Sequence, residues 1–288
     1  MIDGKFSHNN TVPPTAEKVF DLFSLKGRTA IISGGGAGIG YAVAQSLAEA
    51  GANVAIWYQS NKSAPEKAKA IEAEYGVKCR AYQVNVTDAE AVEAAILEQT
   101  KDFNGRLDVF VANAGIPWTE GPVISGSLEL YRKVMAINLD GVYFCARAAG
   151  RIWKRQQVEG TDMMGRKLEN YSYGSFIATA SMSGHIANIP LVQTAYNSSK
   201  AAVIHMCRSL GTEWCQYARA NAVSPGYIDT EISTFASAET KSTWKHKIPM
   251  GREGAPHELK GIYLFLASDA SSYVTGADLV IDGGYTCV

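Results

Sequence analysis

The run Arg28-Thr29-Ala30-Ile31-Ile32-Ser33-Gly34-Gly35-Gly36-Ala37-Gly38-Ile39-Gly40 joins a short apolar segment to a glycine-rich turn, and the turn to an amphipathic stretch. A buried strand, a tight turn and a helix follow from that order. Glycines let the backbone turn sharply and approach a pyrophosphate, and the helix N-terminus favours its negative charge. The spacing is Gly34-x3-Gly38-x-Gly40, which differs from the commoner G-x-G-x-x-G of dinucleotide folds. Any tight strand-to-helix connection can call for glycine, so the rest of the chain has to carry the assignment.

Beyond this turn, apolar strand-like runs alternate with helical segments. The strands are expected at Arg28–Ser33, Asn53–Trp57, Cys79–Asn85, Leu107–Ala112, Gly174–Ala180, Ala220–Val223 and Leu279–Asp282. Helices are expected near residues 38–50, 63–75, 88–103, 127–153, 195–218 and 257–267. The alternation predicts an α/β fold: one Rossmann-like, doubly wound parallel sheet of about seven strands flanked by helices. Residues 1–24 read as an extension without periodicity, ahead of a single domain over 25–288. Two stretches read as insertions, Lys154–Tyr173 and Tyr227–Gly254. The second follows a Ser-Pro-Gly turn at the ligand-binding end of a strand and is expected to form a substrate lid near 227–254.

Composition narrows the function classes. The 288 residues carry 27 Lys+Arg against 28 Asp+Glu, a net charge of −1, so no overall basic field attracts nucleic acid or an anionic membrane. The cysteines Cys79, Cys145, Cys207, Cys215 and Cys287 are scattered and odd in number, as expected of reduced thiols in the cytoplasm. The histidines show no ligand spacing, so no metal site is expected. The polar N-terminal stretch lacks the apolar core of a signal peptide, and a cytoplasmic location follows as an expectation.

The second strand chooses between cofactors. A carboxylate at its end commonly binds the ribose 2′-hydroxyl of NAD. Here the segment Ala55–Lys62 contains no carboxylate. Ser60, Asn61 and Lys62 instead supply donors and a charge for a 2′-phosphate, which predicts NADP(H). A solvated loop lysine is the simpler alternative for Lys62.

Tyr196 and Lys200 lie four residues apart, on one face of a helix, with Ser183 thirteen residues before the tyrosine. A cation beside the phenol is expected to lower its pKa and fit it for proton transfer. The same spacing fits a solvent-facing pair. Asn138, inside a helical stretch that disfavours asparagine, points to a task for its side chain or to a satisfied structural amide. His185 reads as a wall residue or a proton carrier. The stripe Ala201, Ile204, Leu210 and Trp214 suits a core or an interface equally.

Together, Ser33–Gly40, Ala112-Asn113-Ala114-Gly115, Asn138, Ser183, Tyr196-x3-Lys200, Pro225-Gly226 and Asp282-Gly283-Gly284 resemble the short-chain dehydrogenase/reductase family. The resemblance implies Tyr196 as general acid, Lys200 as its cationic neighbour on the nicotinamide ribose, and Ser183 as donor to the substrate oxygen. It implies Asn138 as support for a water relay. For the cofactor it implies Ser33, Gly34, Gly36, Gly38, Ile39, Gly40, Asn113, Ala114 and Gly115 around the pyrophosphate and adenosine, with Pro225, Gly226, Ile228 and Thr230 near the nicotinamide. Asn85-Val86 stands where the family usually has Asp-Val, and its amide oxygen is expected to accept from the adenine amino group. The segments Ile56–Tyr58, Asn85–Thr87 and Asp278–Tyr285 resemble a fungal branch of NADP(H)-dependent sorbose and xylulose reductases and mannitol dehydrogenases. That implies reduction of a ketose such as sorbose, fructose or xylulose to a polyol, by a homotetramer. Reduction of a 3-ketoacyl thioester, with Arg151, Lys154, Arg155, Arg166 and Lys167 as a docking patch, is the alternative within the family. A non-catalytic nucleotide-binding regulator is the alternative outside it.

Overall fold

The computed structural model describes residues 5–6 and 11–288. Part of the 1–24 extension therefore lies outside the described residues. In chain order the main elements are α1 (Val19–Leu22), β1 (Thr29–Ser33), α2 (Gly38–Glu49), β2 (Asn53–Tyr58), α3 (Ala64–Tyr75) and β3 (Cys79–Gln83). Then come α4 (Ala89–Phe103), β4 (Val109–Ala112), α5 (Leu128–Met135), α6 (Gly141–Glu159), β5 (Gly174–Thr179) and α7 (Thr194–Glu213). The chain ends through β6 (Ala218–Pro225), α8 (Ala238–Lys247), α9 (Lys260–Ala267) and β7 (Asp278–Ile281).

The seven strands form one parallel sheet in the order β3-β2-β1-β4-β5-β6-β7. This is the doubly wound arrangement expected from the β-α alternation. Strands β1, β4, β5 and β6 are buried along their whole length, whereas the edge strands β3 and β7 are half-exposed. Continuous apolar runs survive only where helices cover both faces.

Side chains alternate between the two covered faces. Ile31, Phe110 and Phe176 sit at paired register positions and face α4, α6 and α7. There Trp57 meets Phe110 edge-on at 5.3 Å, and Phe176 meets Trp214 edge-on at 5.9 Å. Ala30, Ile32, Val109, Val111 and Ile177 face α2, α3 and α9. Burying both faces fixes the register, because a one-residue slip would exchange the two sets. The stripe on α7 resolves toward the core: Ile204 and Trp214 are buried in it, while Ala201 is exposed.

Three elements depart from the sequence reading. The helix expected over 127–153 is broken: α5 and α6 are joined by a π-helical turn, Ala136–Asp140, that contains Asn138. The helix α8 inside the lid was not anticipated, because Ala238–Lys247 carries a single buried apolar residue, Trp244, and so has no apolar stripe. It is started by Ser237, whose hydroxyl accepts from Thr240 N. The one-turn α1 lies within the stretch read as aperiodic; four residues are too few to show a period.

Candidate active site

The winding direction reverses between β1 and β4, and the loops after these strands splay apart to open a cleft. Its floor is the glycine turn. Gly34 has φ +65°, and a Cβ there would lie 3.0 Å from Ala114 Cα. A Cβ on Gly40 would collide with the Gly34 carbonyl oxygen and come within 2.6 Å of Asn113 Nδ2. The first turn of α2 thus packs directly on the loop before it.

Two of the predicted residues also brace this turn, Asn113 while lining the cleft. Ser33 Oγ accepts from Asn113 N at 3.0 Å and from Ala114 N at 3.1 Å. Asn113 Nδ2 donates to the Ser33 and Gly34 carbonyls, and its Oδ1 accepts from Thr179 Oγ1 at 3.1 Å. These bonds tie β1, β4 and β5 together. Gly34, Gly38, Ile39, Ala114 and Gly115 line the cleft itself.

On the β2 side the cleft has a volume of about 440 Å³, with Gly36, Ser60, Asn61, Asn85 and Val86 in its wall. Asn61 Nδ2 donates to Gly36 O at 2.9 Å, which locks the post-strand loop onto the glycine turn. Lys62 is exposed and is not among the residues of the cleft wall, whereas Ser60 and Asn61 are. Lys67 Nζ instead reaches Gly36 O at 2.8 Å, and Lys133 lines the mouth. Neither stands beside the second strand in sequence, so strand-end reading missed both. Asn85 lines the cleft, and its Oδ1 accepts from Thr87 N and Oγ1, closing an Asx turn.

On the β5–β6 side the cleft has a volume of about 440 Å³ and is lined by Ser181, Tyr196, Lys200, Pro225, Gly226 and Ile228. Thr230 closes its end beside Gly38. The α7 spacing brings Tyr196 and Lys200 to one face, with Lys200 Nζ 5.6 Å from the phenol ring centroid. Lys200 is buried and donates to Thr179 O at 2.8 Å. Burial lowers its pKa to about 8, because a desolvated ammonium is disfavoured. Burial raises the pKa of Tyr196, and only the Ser181 hydroxyl opposes that shift. The expected depression of the phenol by Lys200 is therefore corrected: desolvation outweighs it.

Ser181 was missed in sequence, and Ser183 took its place on spacing. Ser181 Oγ accepts from Ser183 N at 3.1 Å and stands beside the phenol, whereas Ser183 lines a deeper recess. His185 turns away to Asp278, with Nε2 to Oδ2 at 2.5 Å. Asn138 is fully buried in the π turn. Its Oδ1 accepts from Ile116 N at 2.9 Å, and its Nδ2 donates to Ile116 O at 3.0 Å. A Cβ on Gly115 would lie 3.3 Å from Asn138 Oδ1 and 3.6 Å from Lys200 Nζ, so the two side chains flank one glycine.

A long cleft over a Cβ-free glycine turn, crossing the strand switch point to a half-buried phenol, fits a nicotinamide dinucleotide. Among the described residues no cluster could hold a metal ion. The fold and cleft define a dinucleotide-binding oxidoreductase. Residues 34–286 match the family described as enoyl-(acyl carrier protein) reductase. The chain is 64% identical to L-xylulose reductase of Hypocrea jecorina, covering 99% of both chains. It is 46% identical to an NADP-dependent mannitol dehydrogenase of Hypocrea jecorina, covering 95% of this chain and 97% of that one. An NADPH-dependent 3-quinuclidinone reductase structure from Rhodotorula rubra superposes with a TM-score of 0.89 at 42% identity, covering 98% of this chain and 100% of that one. This chain belongs to the short-chain dehydrogenase/reductase family.

One consequence concerns the turn alone. Gly40→Ala is expected to weaken NADPH binding at least tenfold, because the added methyl displaces the Gly34 carbonyl from its place under the cleft. Titration of cofactor fluorescence against parent and variant checks it; equal affinity would remove the turn from the binding site.

Proposed function

We propose that the protein is an NADP(H)-dependent carbonyl reductase that converts a ketose to a polyol and catalyses the reverse oxidation. The observation that carries this reading is the half-buried Tyr196 with the buried Lys200 and Ser181 at the cofactor cleft, opening onto a recess whose wall includes Ser183, Asn188 and Gln193. The 64% identity to an L-xylulose reductase supports the ketose class. Bound NADPH supplies the hydride. Tyr196 gives its phenolic proton to the carbonyl oxygen, and its raised pKa keeps the acid protonated at neutral pH. Ser181 donates to the same oxygen as negative charge develops. Lys200, flanked with Asn138 around Gly115, places a positive charge beside the phenol and a proton path behind it.

Asn61, Ser60 and Lys67 beside the glycine turn support a preference for the 2′-phosphorylated cofactor. The kcat/KM for NADPH is expected to exceed that for NADH by more than tenfold; comparable values would reject the preference. NADPH oxidation with xylulose, sorbose, fructose and an acetoacetyl thioester tests the substrate class, and failure on every ketose would overturn it. Ion pairing engages three of the five basic residues that the thioester alternative would use for docking, which weighs against that reading. Arg151 meets Glu93 at 2.5 Å, Arg155 meets Glu159 at 2.6 Å, and Arg166 meets Asp162 at 2.6 Å. Cytoplasmic action as a homotetramer completes the proposal. Among the described residues no helix is long and apolar enough to cross a membrane. Light scattering of the purified chain tests the assembly.

A further inference from the structure

The short turn that begins at Ser181 ends at His185. It closes on itself through Gly184 N donating to Ser181 O at 2.9 Å and His185 N donating to Met182 O at 2.9 Å. Gly184 packs directly on α7: a Cβ there would stand 2.6 Å from Ile204 Cδ1 and 3.0 Å from the Lys200 carbonyl carbon. Just beyond the turn, Ile186 O accepts from Asn197 Nδ2 at 3.1 Å, next to Tyr196 in sequence. These contacts seat the turn on the helix that carries the phenol and the ammonium.

A second anchor comes from the opposite end of the sequence. His185 Nε2 lies 2.5 Å from Oδ2 of Asp278, the first residue of β7. The Asp278 side chain is only 4% exposed, and its Oδ1 accepts from Ser224 Oγ at 2.7 Å. A buried carboxylate is costly to leave without partners. Among the described residues, the side chains bonded to this one are His185 and Ser224. Ser224 is fully buried on β6 and precedes Pro225 and Gly226, which line the cleft. Gly226 leans on β7 as well: its N donates to Ile281 O at 2.9 Å, and a Cβ there would stand 2.7 Å from Asp282 Cα. One strand thus braces both the Ser181 turn and the Pro225-Gly226 edge of the cleft.

We infer that His185 and Asp278 are positioning residues for carbonyl reduction: their bond fixes the Ser181 turn to β7 and so sets the Ser181 hydroxyl against Tyr196 and the Pro225-Gly226 edge. This rests on the reading of Ser181 as donor to the carbonyl oxygen. Neither His185 nor Asp278 lines the cleft or the recess beyond it, so their effect on the rate has to pass through the segments they hold. Such effects are large when a reacting group is involved, since a misplacement of about 1 Å can cost up to 10²-fold. Losing the His185 bond frees the C-terminal end of the turn while the seat of Gly184 on α7 is kept. The displacement of Ser181 is therefore partial.

The test uses the carbonyl substrate of the panel above that the parent reduces fastest, so it does not depend on the ketose class. Rates are scaled to the NADPH sites titrated by fluorescence, which cancels any loss of folded enzyme. His185→Leu is expected to lower kcat about tenfold, with the KM for NADPH within about twofold of the parent. His185→Gln, whose amide nitrogen can take the place of Nε2, should recover most of the rate. The deciding measurement is a double-mutant cycle. In a Ser181→Ala background, His185→Leu should lower kcat by less than about twofold, because the donor it positions is already gone. A full tenfold loss in that background would overturn the inference, and so would a parent-like kcat for His185→Leu alone; both results leave carbonyl reduction intact. If Ser181→Ala itself turned over like the parent, the donor assignment would fall first, and this inference with it.

Discussion

Replacing Tyr196 by Phe is expected to lower kcat for ketone reduction by roughly 10³-fold, within the range for loss of a positioned general acid. The phenyl ring is retained, so packing around α7 and the melting temperature should hardly change. Turnover should fall far more than cofactor affinity, because the variant keeps the ring in the cleft wall and leaves the glycine turn untouched. Equal turnover would remove Tyr196 from the chemistry. The parent's pH profile gives a second readout. Reduction needs the phenol protonated, and burial raises its pKa, so the acid persists through neutral pH. Lys200, lowered to about 8, changes charge first. As pH rises through that value the ammonium becomes neutral and the cation beside the phenol is lost. Reduction should therefore decline above pH about 8, and Lys200→Met should abolish that limb together with most of the activity. A flat profile from pH 6 to 10 in the parent would sink this account of Lys200.

The fold was legible because most strands of the sheet are short and apolar, and because parallel strands covered on both faces leave continuous apolar runs such as β1, β4 and β5. The glycine turn, Tyr196 and Lys200 were legible for a related reason: each belongs to a local segment whose spacing sets its geometry. What escaped the sequence depends on contacts between distant segments. Lys67 reaches the glycine turn only because α3 folds back over Gly36, 31 residues earlier. Trp244 lies on a helix without an apolar stripe, and it meets Tyr227 only once the stretch between β6 and α8 folds back on itself. The direction of the Tyr196 shift was misread because spacing reveals a neighbouring charge but not the depth of burial. Asn138 was rightly singled out as unusual inside a helix. The reason is a π turn, which widens the helix and aims the amide at the Ile116 backbone.

Ser181→Ala should cost about 10² in kcat, as expected for one donor to a developing oxyanion, whereas Ser183→Ala should cost no more than a few-fold. The two hydroxyls are two residues apart, and a spacing argument chose the later one. The local fold reverses that choice. Ser181 ends the extended segment after β5 and caps the short turn Met182–Gly184, so its hydroxyl faces both Ser183 N and the phenol. Ser183 falls inside that turn and contributes to the recess that holds the rest of the substrate. Its loss should therefore act on KM. The pH dependence separates the roles further. The Ser181 hydroxyl favours the phenolate, so removing it raises the Tyr196 pKa. Oxidation of a polyol needs the phenolate as base, and its rise with pH should move to higher pH in Ser181→Ala but stay in place in Ser183→Ala. Ser181→Thr, which retains a hydroxyl, should recover part of the loss. Because Ser181 also caps a turn, melting temperatures are measured beside the rates; a cap is worth ~1 kcal/mol, too little to unfold a domain at assay temperature. If Ser183→Ala lost the hundredfold and Ser181→Ala did not, the substrate oxygen would have to bind at the turn, and the assignment of the donor would revert to Ser183.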